Sequence, residues 1–185
     1  MEHLSREQVI GLLNCARAGR ERDWVLFLVS FWHGLRASEA VALTPAHFAD
    51  GYLDIQRLKG SLHTIQPLVD HPLEILNESA AVQNWLRRHL EAYSGDGRAR
   101  RLFPISRVQF YRLVRRYGRE AGIPRHLCHP HVLKHSIAMQ SIHEAGIENV
   151  RQYLGHKSIS STGAYLEVDD EAASRAIARA TREEK

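Results

Sequence analysis

His131-Val132-Leu133-Lys134, then Leu154-Gly155-His156, then Tyr165 nine positions further on, is the stretch from which the rest of the chain can be read. It sets a proton-transferring imidazole, a cation, a second imidazole and a phenol within one C-terminal run. Far upstream lies Gly34-Leu35-Arg36-Ala37-Ser38-Glu39, and Lys59 falls between them in a segment that reads as a hairpin. Two lysines, two imidazoles, an arginine and a tyrosine, without a carboxylate cluster, suit phosphoryl transfer through a tyrosine nucleophile better than metal-assisted hydrolysis.

Around that stretch the periodicity predicts helices over Val132 to Ala145, Asn149 to Leu154 and Ser160 to Leu166. An Ala-rich helical tail over Asp169 to Arg182 follows, with acids early and arginines late to match the helix dipole. Upstream, Ser106 to Ala121 is predicted helical and ended by Gly122 and Pro124. Its wheel places Phe110, Leu113, Val114 and Tyr117 on one side and Arg112, Arg115, Arg116 and Arg119 on the other, so one face packs and the other suits a phosphate backbone. Further helices are predicted from Ser79 to Tyr93, Arg22 to His33 and Ser38 to Leu43. A first helix is capped by Ser5 with Gln8 three residues later and stopped at Gly19. The texture changes only at Tyr52 to Arg57 and Leu62 to Leu68, two short strands around Lys59-Gly60-Ser61. The chain is therefore mainly α with a small antiparallel β-sheet or hairpin.

With 185 residues and 44% apolar content the chain is long enough for one domain with a real core. The net charge is +4 and the pI about 9.3. Only four of the 25 basic residues are lysine (Lys59, Lys134, Lys157 and Lys185). Guanidinium forks pair bidentately with phosphate, so this balance leans toward nucleic acid. Cys15 and Cys128 are too few for a disulfide framework, which makes a reducing cytoplasm the default. No apolar run reaches membrane-spanning length, and the longest, Trp24 to Trp32, reads as a buried helix. His126, Cys128, His129, His131 and His135 crowd together with a proline, in a spacing that fits no standard zinc site, so no metal or other cofactor is expected. Taken singly, Arg36 reads equally as a capping residue, Lys59 as a turn lysine and Tyr165 as a core aromatic.

Taken in order, these segments resemble the catalytic domain of the tyrosine recombinases, the phage integrase family. The likeness is strongest to the small fimbrial phase-variation recombinases, which invert DNA. It is carried by Phe31 to Glu39, Arg57-Leu58-Lys59-Gly60, Ser106 to Tyr111, His129 to His135, Tyr153-Leu154-Gly155-His156 and Tyr165. The resemblance implies a catalytic domain over residues 1–168 and a tail, 169–185, for contact between protomers. It implies Tyr165 as nucleophile, Arg36 and His156 as phosphate contacts, His131 as acid/base, Lys59 as proton donor to the leaving group and Glu39 as support for Arg36. Lys134 stands where the family has a second arginine, and a lysine supplies the charge without the planar fork. It reads equally as a natural variant, an inactivating substitution, or the mark of a DNA-binding regulator or accessory protein with weak or no chemistry. The partners implied are double-stranded recombination sites, a homotetramer assembled on them and accessory DNA-bending proteins, in a bacterial cytoplasm close to the nucleoid. A separate N-terminal clamping domain is not expected, since the match starts almost at Met1.

Overall fold

α1 (Arg6–Gly19) begins where the sequence predicts. The Ser5 hydroxyl accepts from the Gln8 N–H, and the Gln8 side chain closes the reciprocal bond to Ser5 N at 2.9 Å. The preceding Leu4 is tied to α6 (His131–Ala145) by Leu4 N to Ser136 Oγ, 2.9 Å, and by Gln140 Nε2 to Leu4 O, 3.0 Å. In this computed structural model the described residues are 2–58, 61–92 and 101–158. Lys59, Tyr165, the helix expected over Ser160 to Leu166 and the 169–185 tail lie outside them.

α2 (Glu21–Trp32) buries every residue from Asp23 to Phe31, which explains its apolar character on all sides. It packs against α1, α4 (Glu78–Ala92) and α6. Both of its tryptophans satisfy their indole N–H on the 73–77 segment, Trp24 on Ile75 O and Trp32 on Leu76 O, each at 3.0 Å. Those bonds let two large amphipathic side chains sit in the core without an orphaned donor. α3 (Ala37–Ala40) is a single turn carrying Arg36 at its N-cap.

The sheet has three strands in the order β1 (Phe48–Ala49), β2 (Tyr52–Gln56), β3 (His63–Pro67), all antiparallel. β2 and β3 follow the predicted hairpin, with Leu53 and Ile55 inward on β2. β1, outside the two predicted strands, pairs Phe48 with Leu53 and Ala49 with Tyr52 across Asp50-Gly51, both at positive φ as a type I′ turn requires.

α5 (Arg107–Glu120) is capped by Ser106 accepting from the Gln109 N–H. Its apolar side joins the core, where Phe110 lies 5.5 Å and Tyr117 5.9 Å from the Phe27 ring. α6 is followed by Gly146 at positive φ and then α7 (Ile147–Tyr153), which starts two residues earlier than the apolar periodicity predicts. The fold is thus mainly helical with a small antiparallel sheet, as expected. No helix among the described residues is long and apolar enough to cross a membrane.

Candidate active site

Gly34 breaks the chain after α2 in the left-handed region, φ 56°. A Cβ there would run into Leu154 and stand 3.6 Å from the Lys134 stem. The glycine therefore lets the loop bearing Arg36 lie directly against α6 and the end of α7.

Arg36 is partly exposed and oriented from below. Glu39, 2% exposed, accepts the Arg36 backbone N–H at 2.8 Å and its Nη1 at 2.9 Å. Arg36 also donates to Leu58 O at 3.2 Å and to Ser61 Oγ from both terminal nitrogens. Burial alone would raise the Glu39 carboxyl. The Arg36 and Leu58 backbone N–H groups, the charge of Arg57 and the hydrogen bond from the Arg36 guanidinium outweigh it and hold the carboxyl below its ordinary range. Glu39 therefore stays ionised and keeps the guanidinium fixed.

Lys134 is 5% exposed and reaches Leu154 O at 3.5 Å. Burial, then repulsion from Arg36 and Arg57, lowers its pKa to about 7, with Glu39 pulling the other way. His156 follows α7 and is also buried. Its pKa falls to about 4 through burial and then the charges of Lys134, Arg36, Arg57 and Arg151. A neutral imidazole results, able to donate one N–H to an anion without adding charge. Arg151 donates to His156 O at 2.7 Å and is itself held by Glu148, which fixes the turn. Arg36, Lys134 and His156 are thus mutual electrostatic neighbours, although they come from three separate parts of the chain.

His131 stands exposed at the first residue of α6, its ring 6.4 Å from that of His135. His135 falls to about 4, by burial first and then by the charges of His131, His129, Lys134 and the chain terminus. Lys59 and Tyr165 lie outside the described residues. Arg112, Arg115, Arg116 and Arg119 are all exposed on α5 and, with Arg125 and Cys128, line a groove of about 600 Å³. Among the described residues, no group of three or more His, Cys, Asp or Glu side chains is placed to hold a metal ion.

Two contributors carry no assigned role in the sequence reading. Ser61 accepts from Arg36, and Arg57 is a buried arginine, 2% exposed, that sits 3.6 Å from Glu39. Period-two alternation gave the signal for Arg57, since Leu53, Ile55 and then residue 57 share the inward face.

A helical body with a small antiparallel sheet at one edge is the fold of the tyrosine recombinase catalytic domains. The family model described as "Phage integrase family" matches residues 2–172, and the chain belongs to that family. It is similar to the type 1 fimbriae regulatory protein FimE of Escherichia coli K12, 33% identical over 163 residues, covering 82% of this chain and 77% of FimE. FimB of the same strain is 31% identical over 172 residues, covering 88% and 82%. Among solved structures, XerA recombinase shares the fold with a TM-score of 0.74 at 23% identity, over 97% of this chain. The chain spans 63% of the XerA chain.

Proposed function

We propose that this chain is a site-specific DNA recombinase that cuts and rejoins DNA through a 3′-phosphotyrosyl intermediate. The observation that carries the reading is the convergence of Arg36, Lys134 and His156 on one site braced by Glu39. In the reaction the Tyr165 oxygen attacks a backbone phosphorus and the bond to the 5′ oxygen breaks. His131 takes the phenol proton, and Lys59 protonates the departing 5′ oxygen to a hydroxyl. Arg36, Lys134 and His156 neutralise or hydrogen-bond the phosphorane oxygens. The phosphotyrosyl ester conserves the bond energy, so rejoining by the reverse attack needs no metal or nucleotide. The arginine face of α5 runs along the phosphate backbone and positions the duplex. Four protomers act on two sites, with residues 169–185 linking neighbours, and accessory DNA-bending proteins assist in the cytoplasm.

The test is a nicked suicide duplex carrying a candidate recombination site taken from the DNA that flanks the gene. Wild type gives a denaturant-resistant protein–DNA adduct and Tyr165→Phe gives none. Absence of the adduct in wild type, or its survival in Tyr165→Phe, overturns the reading.

The burial of Lys134, with a point charge in place of a fork, favours a second reading: a DNA-binding regulator of the same fold with weak chemistry. Lys134→Arg separates the two. A gain in adduct formation marks an intact site limited by one cation, whereas retained DNA binding with no gain marks the regulator.

A further inference from the structure

Arg57 lies just past β2, yet its side chain is fully buried and reaches four parts of the fold. Nε donates to Thr64 Oγ1 at 3.0 Å on β3, and Nη2 donates to His33 O at 2.8 Å, just past α2. Nη2 also donates to Gln66 Oε1 at 3.1 Å and lies 3.5 Å from Tyr153 O at the end of α7. Nη1 faces Glu39 Oε2 at 3.6 Å. The Gln66 amide nitrogen donates to Tyr153 O at 2.7 Å, so its oxygen accepts from Arg57 and, at 2.9 Å, from His33 Nδ1. The other His33 nitrogen stands 2.9 Å from the buried Glu78. A polar seam therefore crosses the core from the start of α4, through His33, Gln66, Arg57 and Glu39, to Arg36.

The aliphatic part of Arg57 acts as well. A Cβ on Gly155 would lie 3.0 Å from Arg57 Cγ and 3.1 Å from Leu62 O, and Leu62 N donates to Gly155 O at 2.9 Å. The hairpin and the segment leading into His156 are thus clamped on either side of this one side chain. Glu39 completes the link: one oxygen is shared by Arg36 N and Arg57, the other by Arg36 Nη1 and Leu58 N, the residue before Lys59.

We propose that Arg57 is a positioning residue that sets Arg36, the Leu58 end of the hairpin and His156 in one mutual geometry, an inference that rests on the recombinase reading above. A charge this deep is costly unless paired and hydrogen-bonded, and only a planar multi-donor fork reaches a strand, two helix ends and a carboxylate together. Lysine keeps the charge but concentrates it on one nitrogen.

The experiment compares wild type, Arg57→Lys and Thr64→Val, the last removing one acceptor from the fork without touching its charge. The Arg36 guanidinium N–H resonance, assigned by its loss in Arg36→Lys, is followed with and without inorganic sulfate as a tetrahedral anion. Adduct formation and DNA affinity are measured in parallel on the suicide duplex. In Arg57→Lys the Arg36 resonance moves before any anion is added, and sulfate binds more weakly. Adduct formation slows on the order of 10²-fold while DNA affinity holds. The slowing vanishes when Arg36 is already Ala, because the effect passes through Arg36. Thr64→Val shifts the resonance in the same direction by less, and it decides the matter should Arg57→Lys fail to fold. An unmoved Arg36 resonance, or a loss that adds fully to that of Arg36→Ala, overturns the proposal. A wild type that forms no adduct, while Arg57→Lys still displaces Arg36, overturns the recombinase reading and leaves the positioning role standing.

Discussion

Lys134 carries the most individual chemistry of this chain. Its ammonium faces Arg36 at the α3 N-cap, Glu39 within α3, Arg57 past β2 and His156 after α7. Burial first, and then the two arginines, bring its pKa to about 7, well below the ordinary lysine range. Between that value and the ordinary one the unfolded chain holds a proton that the folded chain does not. This group's contribution to stability therefore rises with pH through that window, and the charged form is a burden on the fold below about 7. An anion in the site reverses the preference, since it rewards the charged form. Sulfate keeps a constant charge near neutrality, so its affinity for wild type should fall as pH rises from about 6 to about 9, with proton uptake on binding. Lys134→Arg should flatten that profile, because guanidinium does not titrate there. Isothermal titration in two buffers of different ionisation heat reads both quantities, and parallel profiles for the two proteins would remove Lys134 as the responsive group. His156 titrates near 4 and leaves this window undisturbed. The lysine itself was legible as a departure from the family pattern. Its depressed pKa was not, because that depends on Arg36 and Arg57 arriving from distant segments.

α5 shows what an element adds to its residues. The wheel separated its two faces correctly: Phe110, Val114 and Tyr117 are buried and the four arginines are exposed. Their engagement is unequal. Arg116 is paired with Glu120 and lies over the Tyr117 ring, and Arg115 lies over the Tyr111 ring. If this face lies along DNA, replacing Arg112, Arg115 and Arg116 together with Ala reduces the salt dependence of binding by about two to three phosphate contacts. The ring-stacked Arg116 should contribute least when replaced alone. Fluorescence anisotropy at several salt concentrations measures the slope, and an unchanged slope would place the duplex elsewhere. The elements that escaped the sequence reading are the shortest ones. β1 has two residues, too few for an alternation to register, although Asp50-Gly51 is itself a hairpin signal. The early start of α7 is set by the Gly146 break rather than by apolar periodicity.

At the scale of the molecule, helix order and core were legible because amphipathic periods and caps are local. The seam through Glu78, His33, Gln66, Arg57 and Glu39 was not, because it joins polar residues from five elements whose contacts are set by the tertiary fold. The same division applies to assembly. Residues 169–185 combine an Ala-rich composition with Asp169, Asp170 and Glu171 early and Arg175, Arg179 and Arg182 late, a pattern suited to a helix that docks on another surface. A net charge of +4 supplies only modest attraction for DNA per chain, so stable engagement of two sites gains from linkage between protomers. Deleting residues 169–185 should therefore leave the suicide-duplex adduct largely intact, because Arg36, Lys134, His156 and Tyr165 all remain. Recombination between two sites should fall by a factor on the order of 10² as the gain from linkage is lost. Sedimentation of the protein with two-site DNA should show the proposed four-protomer assembly shrinking in step with that loss. Full recombination and an unchanged assembly after the deletion would show that the protomers meet through another surface. Loss of the single-site adduct as well would place the tail in the chemistry of its own protomer.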